Sequence, residues 1–235
     1  MTTTTAELGR TLEAKWGDRV GALAGLAFAL CLFAGIAMID IPHNATDQEL
    51  TSWWSDAGNR TSAVVSMYLF VGAGLSFLVL LVTLRSRLLV AEGGSGDLTA
   101  LVVGSGVVFV AMLFVAAAAR GVIGFSVLSP ANEESLPGPD TLRYLPQIGY
   151  AVTGTGGLLA AALTMATTSL LILRTAVFGR WLAWIGCIAT VAIIGANAVL
   201  SGVFAIPALL VWALATSVAL WRRPAPGHEP KGERP

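Results

Sequence analysis

The chain has 235 residues, 55% of them hydrophobic and only 12% charged, and its formal net charge is zero. With a mean hydropathy of +0.76, it has too little polar surface to cover a water-soluble domain of this size, and a neutral chain has no global field to recruit nucleic acid. A soluble globular protein is excluded, and the expected fold class is all-α, a polytopic transmembrane helical bundle with the lipid bilayer as its main partner.

Residues 1–19 are polar, and Leu8, Leu12 and Trp16 recur there at four-residue spacing among charges. That pattern fits a cytoplasmic amphipathic helix on the membrane surface, or a solvated terminus. Residues 20–39 form the first apolar run, which at about 1.5 Å per residue crosses a hydrocarbon core of about 30 Å. A cleaved signal peptide is the rival reading, with Gly35 and Ala37 as its cleavage site. Residues 40–62 read as a polar loop holding a proline, several acids and the pair Trp53 and Trp54. A second span over 63–84 ends at Arg85 and Arg87, and the linker Gly93 to Gly96 resets the chain. The third span covers 98–119, although apolar residues continue past Arg120 to Leu128.

A second polar loop, 129–143, leads to a long fourth span over 148–173 that fits by tilting. Arg174 and Arg180 bracket a turn before the fifth and sixth spans, 181–200 and 203–221. Only Ser201 and Gly202 separate these two, but read as one helix they would be about 60 Å long, twice what a membrane needs. Asn197 is placed to cap the reversal, and Pro207 sits in a first helical turn where its missing N–H costs little. The six-helix domain therefore covers 20–222, and 223–235 is a polar, proline-rich tail expected to be disordered. Cys31 and Cys187 fall in apolar runs at different depths and read as small packing residues rather than a disulfide.

Placing both termini inside assigns Arg10, Lys15, Arg19, Arg85, Arg87, Arg174, Arg180, Arg222, Arg223, Lys231 and Arg234 to the cytoplasm. Only Arg60, Arg120 and Arg143 of the 14 basic residues are then outside. Basic residues set orientation, so the sequence predicts six spans with both ends in the cytoplasm of a cell (plasma) membrane. Trp181, Trp184 and Trp221 at the inner boundary and Trp53 and Trp54 at the outer one read as interfacial anchors.

Small residues recur at helical spacing along Gly149, Thr153, Gly157, Ala160 and Thr164, and again at Gly21 and Gly25. Such stripes let membrane helices approach closely, within the chain, in a homo-oligomer or against a membrane protein partner. The run Thr153-Gly154-Thr155-Gly156-Gly157 also permits a break of the kind that transporters use to expose backbone groups to a solute. Arg120 stands out: if the third helix runs on to Leu128, its guanidinium lies within the membrane, with Asp40 as the expected partner, and otherwise it snorkels to the boundary. Asp40, His43, Arg120, Gln147, Tyr150 and Asn197 all lie near outer ends of spans and form a candidate ligand-binding group.

No metal site and no cofactor are expected. His43 among loop carboxylates lacks zinc-ligand spacing, and the second histidine, His228, is in the tail. No phosphate-binding loop and no nucleophile with a matching base is present, and Gly104-Ser105-Gly106 has no histidine in a later span to activate its serine. No carboxylate lies deep in any of the six runs, which disfavours proton-coupled transport. The run Leu84-Arg85-Ser86-Arg87-Leu88, the Trp-containing acidic loop, and Arg174-Thr175 followed by Arg180-Trp181-Leu182-Ala183-Trp184-Ile185-Gly186 resemble uncharacterised multi-pass membrane proteins of actinobacteria. That resemblance implies a bacterial source and a multi-pass topology, and no activity. The first expectation for function is a non-enzymatic protein whose small-residue faces pack helices or partners; the alternative is a small-solute transporter or binder with an outward-facing polar cavity. A membrane enzyme comes third.

Overall fold

The computed structural model describes residues 5–39, 41–42, 45–128, 136–199 and 202–222, with side chains from Trp16 onward, Val203 excepted. Its helices are α1 (Thr5–Ala37), α2 (Asp47–Ser55), α3 (Ala57–Glu92), α4 (Asp97–Leu128), α5 (Pro139–Val152), α6 (Leu158–Thr175), α7 (Arg180–Ala198) and α8 (Ile206–Trp221). A π-helical turn, Thr153–Gly157, joins α5 to α6, and a 3-10 turn, Gly202–Ala205, leads into α8. The described residues contain no strand. Five stretches are long and apolar enough to cross a membrane: Trp16–Ala37, Ala57–Glu92, Asp97–Leu128, Pro139–Thr175 and Arg180–Ala198. The chain is a helical membrane protein, and α8 is an apolar helix of 16 residues beside the five.

The helices overshoot the apolar runs read from sequence, for local reasons. α1 runs unbroken from Thr5, so no boundary separates the N-terminal segment from the first span. The stretch expected as a loop after it contains α2, started by Thr46, whose hydroxyl accepts the Glu49 N–H while the Glu49 carboxylate accepts the Thr46 N–H. Asp56 then starts α3 by accepting the Asn59 N–H at 2.9 Å. α4 carries on through Arg120, and the fourth rod begins with Pro139 at its first turn rather than at residue 148. At 36 residues, α3 is about 54 Å long, so it must project beyond a core of about 30 Å. The proposed tail, 223–235, lies outside the described residues.

Phe28, Phe77 and Phe109 fill the centre, each fully buried, with ring centroids 5.0–6.1 Å apart and tilted or edge-on geometry. Leu30, Phe33, Val82, Val191 and Ile188 point outward, as lipid-facing side chains should. Hydroxyls cross-link the helices: Ser66 donates to the Gly35 carbonyl at 2.6 Å, and the Ser105 and Thr164 oxygens are 2.8 Å apart. The small-residue stripes are used inside the chain. Gly21 lies against Thr83, Gly25 against Ser217 and Ala213, Gly149 against Arg120 and Ala116, and Gly157 against Met112. Thr153 bonds back to the Gly149 carbonyl, and Ala160 packs beside the core. Cys31 and Cys187 are free thiols.

α8 runs antiparallel to α1 along most of its apolar length. Trp221, its last residue, has Arg19 5.9 Å from its ring centroid, while Ile206, its first, shares a cavity with Ile36 and Ile39. The Trp221 end of the bundle holds a fork between Arg87 and Asp18, with N–O distances of 2.8 and 2.7 Å, joining the last turns of α3 to the middle of α1. Both side chains are mostly covered, at 22% and 11% exposure. Asp18→Ala removes both bonds of this fork and is expected to cost about 1–3 kcal/mol, below the range for a fully buried pair. A double variant Asp18→Leu, Arg87→Met recovers most of that loss in a detergent melting curve; no recovery contradicts this account.

Candidate functional site

Opposite the arginine-rich end, α2 lies across the protruding ends of the bundle as a cap. Leu50 and Trp54 of α2 pack with Ile39, Ile41, Ala63, Ile123 and Leu142 in a small second core. Its hinge is tied by side chains of α3: Asn59 donates to the Trp53 carbonyl at 3.0 Å, and Arg60 donates to those of Trp54 and Ser55 at 3.0 and 2.8 Å. A guanidinium on the last carbonyls of a helix satisfies acceptors that have no intrahelical donor. Arg143 on α5 reaches Asp47 on α2 at 2.6 Å, an exposed pair worth little alone.

The Thr46 N–H and hydroxyl hold the Glu49 carboxyl below the usual carboxylate range. A depressed folded-state pKa contributes stability that is present above the unfolded value, about 4.3, and is lost as pH falls through the folded one. The cap is therefore expected to loosen as acidification below about pH 4.3 protonates Glu49, read as a change in Trp53 and Trp54 fluorescence while far-UV helicity holds. An emission spectrum that stays unchanged until the helices themselves melt contradicts this.

Beneath the cap is a cavity of about 210 Å³ lined by Ile36, Ile39, Phe70, Arg120, Tyr150, Thr153 and Ile206. Arg120 is only 5% exposed. Because α4 continues for two turns beyond it, roughly 12 Å, and Ile123 is sealed into the second core, its side chain cannot reach water by snorkelling. Its guanidinium carbon sits 4.8 Å from the Phe70 ring centroid and 4.6 Å from that of Tyr150. Such cation–π contacts are worth about 2 kcal/mol or more when desolvated. One Nη donates to the Tyr150 hydroxyl over a long 3.4 Å, and Nε is buried without a partner. Among the described residues no carboxylate pairs with Arg120.

Gly149 makes room for this arrangement. A Cβ there would lie 2.6 Å from the Arg120 Cγ and 3.0 Å from the Ala116 carbonyl oxygen, so the arginine stem crosses α5 where only glycine fits. Tyr150, one residue on, also lines a shallower recess of about 30 Å³ with Gln147, Pro146, Leu142, Leu50 and Pro42, so its ring divides the cavity from the cap surface. Below the cavity the π turn widens the rod at Thr153, with Gly154 against Gly202 of the 3-10 turn.

The sequence grouping thus separates. Arg120 and Tyr150 meet at the cavity, and exposed Gln147 stands at the shallower recess. Asn197 is elsewhere, in the last turn of α7, donating to the Ile193 carbonyl at 3.0 Å. Asp40 and His43 lie outside the described residues. Thr153, expected as a small packing residue and as the start of a run that permits a helix break, lines the cavity, as do Ile36, Ile39, Phe70 and Ile206, which carried no sequence signal beyond apolarity. The lining holds one cation among mostly apolar walls, which is the chemistry of holding an anion with an apolar part. Compared with known proteins, the chain matches no family model, no curated protein and no solved structure.

Proposed function

We propose that this chain is a six-span protein of the plasma membrane, both termini cytoplasmic, that binds a small organic anion in the cavity beneath its outer cap. One observation carries the reading: an arginine only 5% exposed, with an unpartnered Nε and no paired carboxylate among the described residues, lines a mostly apolar cavity. A charge is retained in such a place at a cost of at least about 2.5–3.5 kcal/mol on insertion scales, and a ligand carboxylate offsets that cost by a charge-assisted fork. The volume is below the roughly 300–1,000 Å³ of pockets for drug-sized ligands, which favours a monocarboxylate with a short apolar tail.

The sixth crossing is supported by α8 lying along α1 from Arg19 to the cavity, a depth of about 26 Å at 1.5 Å per residue. Inner placement of the arginine-rich end is supported by the excess of basic residues there. The glycine stripes that favoured a partner-binding role are occupied by neighbours within the chain, so solute binding is the better-supported reading. The π turn at Thr153 favours transport as the second reading, since π turns interrupt a helix at functional sites and this one borders the cavity.

Calorimetry on the full chain in mild detergent tests binding, with butanoate, hexanoate and benzoate as probes and hexanamide as the neutral control. Saturable binding of a carboxylate and none of the amide is expected. Equal binding of amide and acid, or binding of neither, overturns the reading. Uptake of the bound probe into proteoliposomes then separates a carrier from a receptor.

A further inference from the structure

The arginine-rich end carries a second recess that the anion cavity does not explain. Between α1 and α8 a groove of about 410 Å³ opens sideways, walled by Leu23 and Leu26 on one helix and Leu214 and Val218 on the other. Trp221 and Arg222 stand at its mouth, and the Arg19 guanidinium lies 5.9 Å from the Trp221 ring centroid. The rest of the lining is small: Ala22 on α1 and Ser217 on α8, whose hydroxyl is tied to the Ala213 carbonyl at 2.9 Å. Arg222 also lines the adjoining recess of about 510 Å³ with Arg180 and Trp181. Among the described residues no carboxylate lines either recess, and the nearby Asp18 is engaged by Arg87.

We infer that this groove is a binding site for an anionic phospholipid of the adjoining leaflet, with one acyl chain between α1 and α8 and the phosphate at Arg19 and Arg222. The groove walls match an acyl chain, which gains only contact there, because surrounding lipid is equally apolar. Selectivity must come from the mouth. Two exposed arginines with no acidic neighbour in the lining attract a phosphate that carries net charge, and a tryptophan at headgroup depth anchors the glycerol region. A zwitterionic lipid of the same chains gains the wall contacts but not the charge complement.

Native mass spectrometry of the full chain, titrated with phosphatidylglycerol or phosphatidylcholine of identical acyl chains, tests this. Preferential retention of phosphatidylglycerol is expected, reduced about fivefold by Arg222→Ala and further by adding Arg19→Ala, as for one basic residue each near a charged surface. Arg174→Ala, an exposed arginine on the last turn of α6 that lines neither recess, should leave the preference unchanged. Leu26→Trp, which fills the groove, should weaken retention of both lipids. Equal retention of the two lipids by the wild type overturns the proposal. So does a preference that survives the double variant, or one that Arg174→Ala lowers as much as Arg222→Ala does.

Discussion

Arg120→Met is expected to abolish carboxylate binding while leaving the ligand-free unfolding temperature in detergent close to that of the wild type. Truncating one member of a desolvated ion pair costs about 2–5 kcal/mol, a loss of roughly 30- to several-thousand-fold in affinity. Ligand-free stability should change far less. The wild type keeps a cation among Ile36, Ile39, Phe70 and Ile206 with one long hydrogen bond at 3.4 Å. Methionine fills similar volume without charge, and replacing buried ionic groups by apolar ones of similar size is often stabilising by about 1–4 kcal/mol. The lost contacts to the Phe70 and Tyr150 rings, about 2 kcal/mol each when desolvated, offset that gain, so the ligand-free variant should melt near the wild type or slightly below it. Ligand at 100 times its Kd adds about 2.7 kcal/mol to the wild type alone, so a gap in melting opens when ligand is added. Melting curves whose separation does not change on adding ligand would show that Arg120 is a structural cation only. Arg120→Lys keeps the charge but not the planar fork, and should bind weakly.

Gly202→Val should be the most damaging single change at the cap end. A Cβ there would meet the Gly154 carbonyl oxygen at 2.2 Å and the Asn197 side chain at 3.0 Å. The first obstacle is backbone of the π turn, which cannot rotate away as a side chain does. Overpacking of this kind costs about 1–3 kcal/mol and occasionally more, and two opposed backbones place this site at about 3 kcal/mol. Binding should fall as well, because displacement of Gly154 moves Thr153 in the cavity wall. Gly195→Ala is the matched control: a Cβ there meets nothing within 4 Å, and helix propensity makes the change slightly favourable. A Gly202→Val protein that melts with the wild type would mean that the reversal before α8 is looser than its geometry.

Much of this architecture is written locally. Apolar runs of helical length read as spans because every backbone polar group in hydrocarbon must be bonded within its own segment. The reversal at Gly202 followed from length alone, since a rod through Trp221 would cross twice the membrane. What was missed was polar and local, or apolar and distant. Thr46 and Glu49 form a capping box, and that signature in the sequence would have placed α2 in what read as a loop. Extension of α4 through Arg120 turned on whether something would cover the guanidinium. The cover comes from the rings of Phe70 on α3 and Tyr150 on α5, brought together from two other helices, and no periodicity encodes it. Asn197 was grouped with Tyr150 by assumed depth, but its amide bonds its own helix. The glycines at 154, 156 and 157 signalled either close approach or a break. Both occur: the turn is π-helical, and its Gly154 carbonyl is in contact with Gly202.

Arg120 as a buried cation held for an exogenous anion is tested most directly by a crystallographic map of the full chain grown with 6-bromohexanoate. Anomalous bromine density among Ile36, Phe70 and Ile206, with the probe carboxylate on the Arg120 guanidinium, is the predicted result. A protein carboxylate on that guanidinium, Asp40 included, or bromine only at the lipid-facing surface, would contradict it.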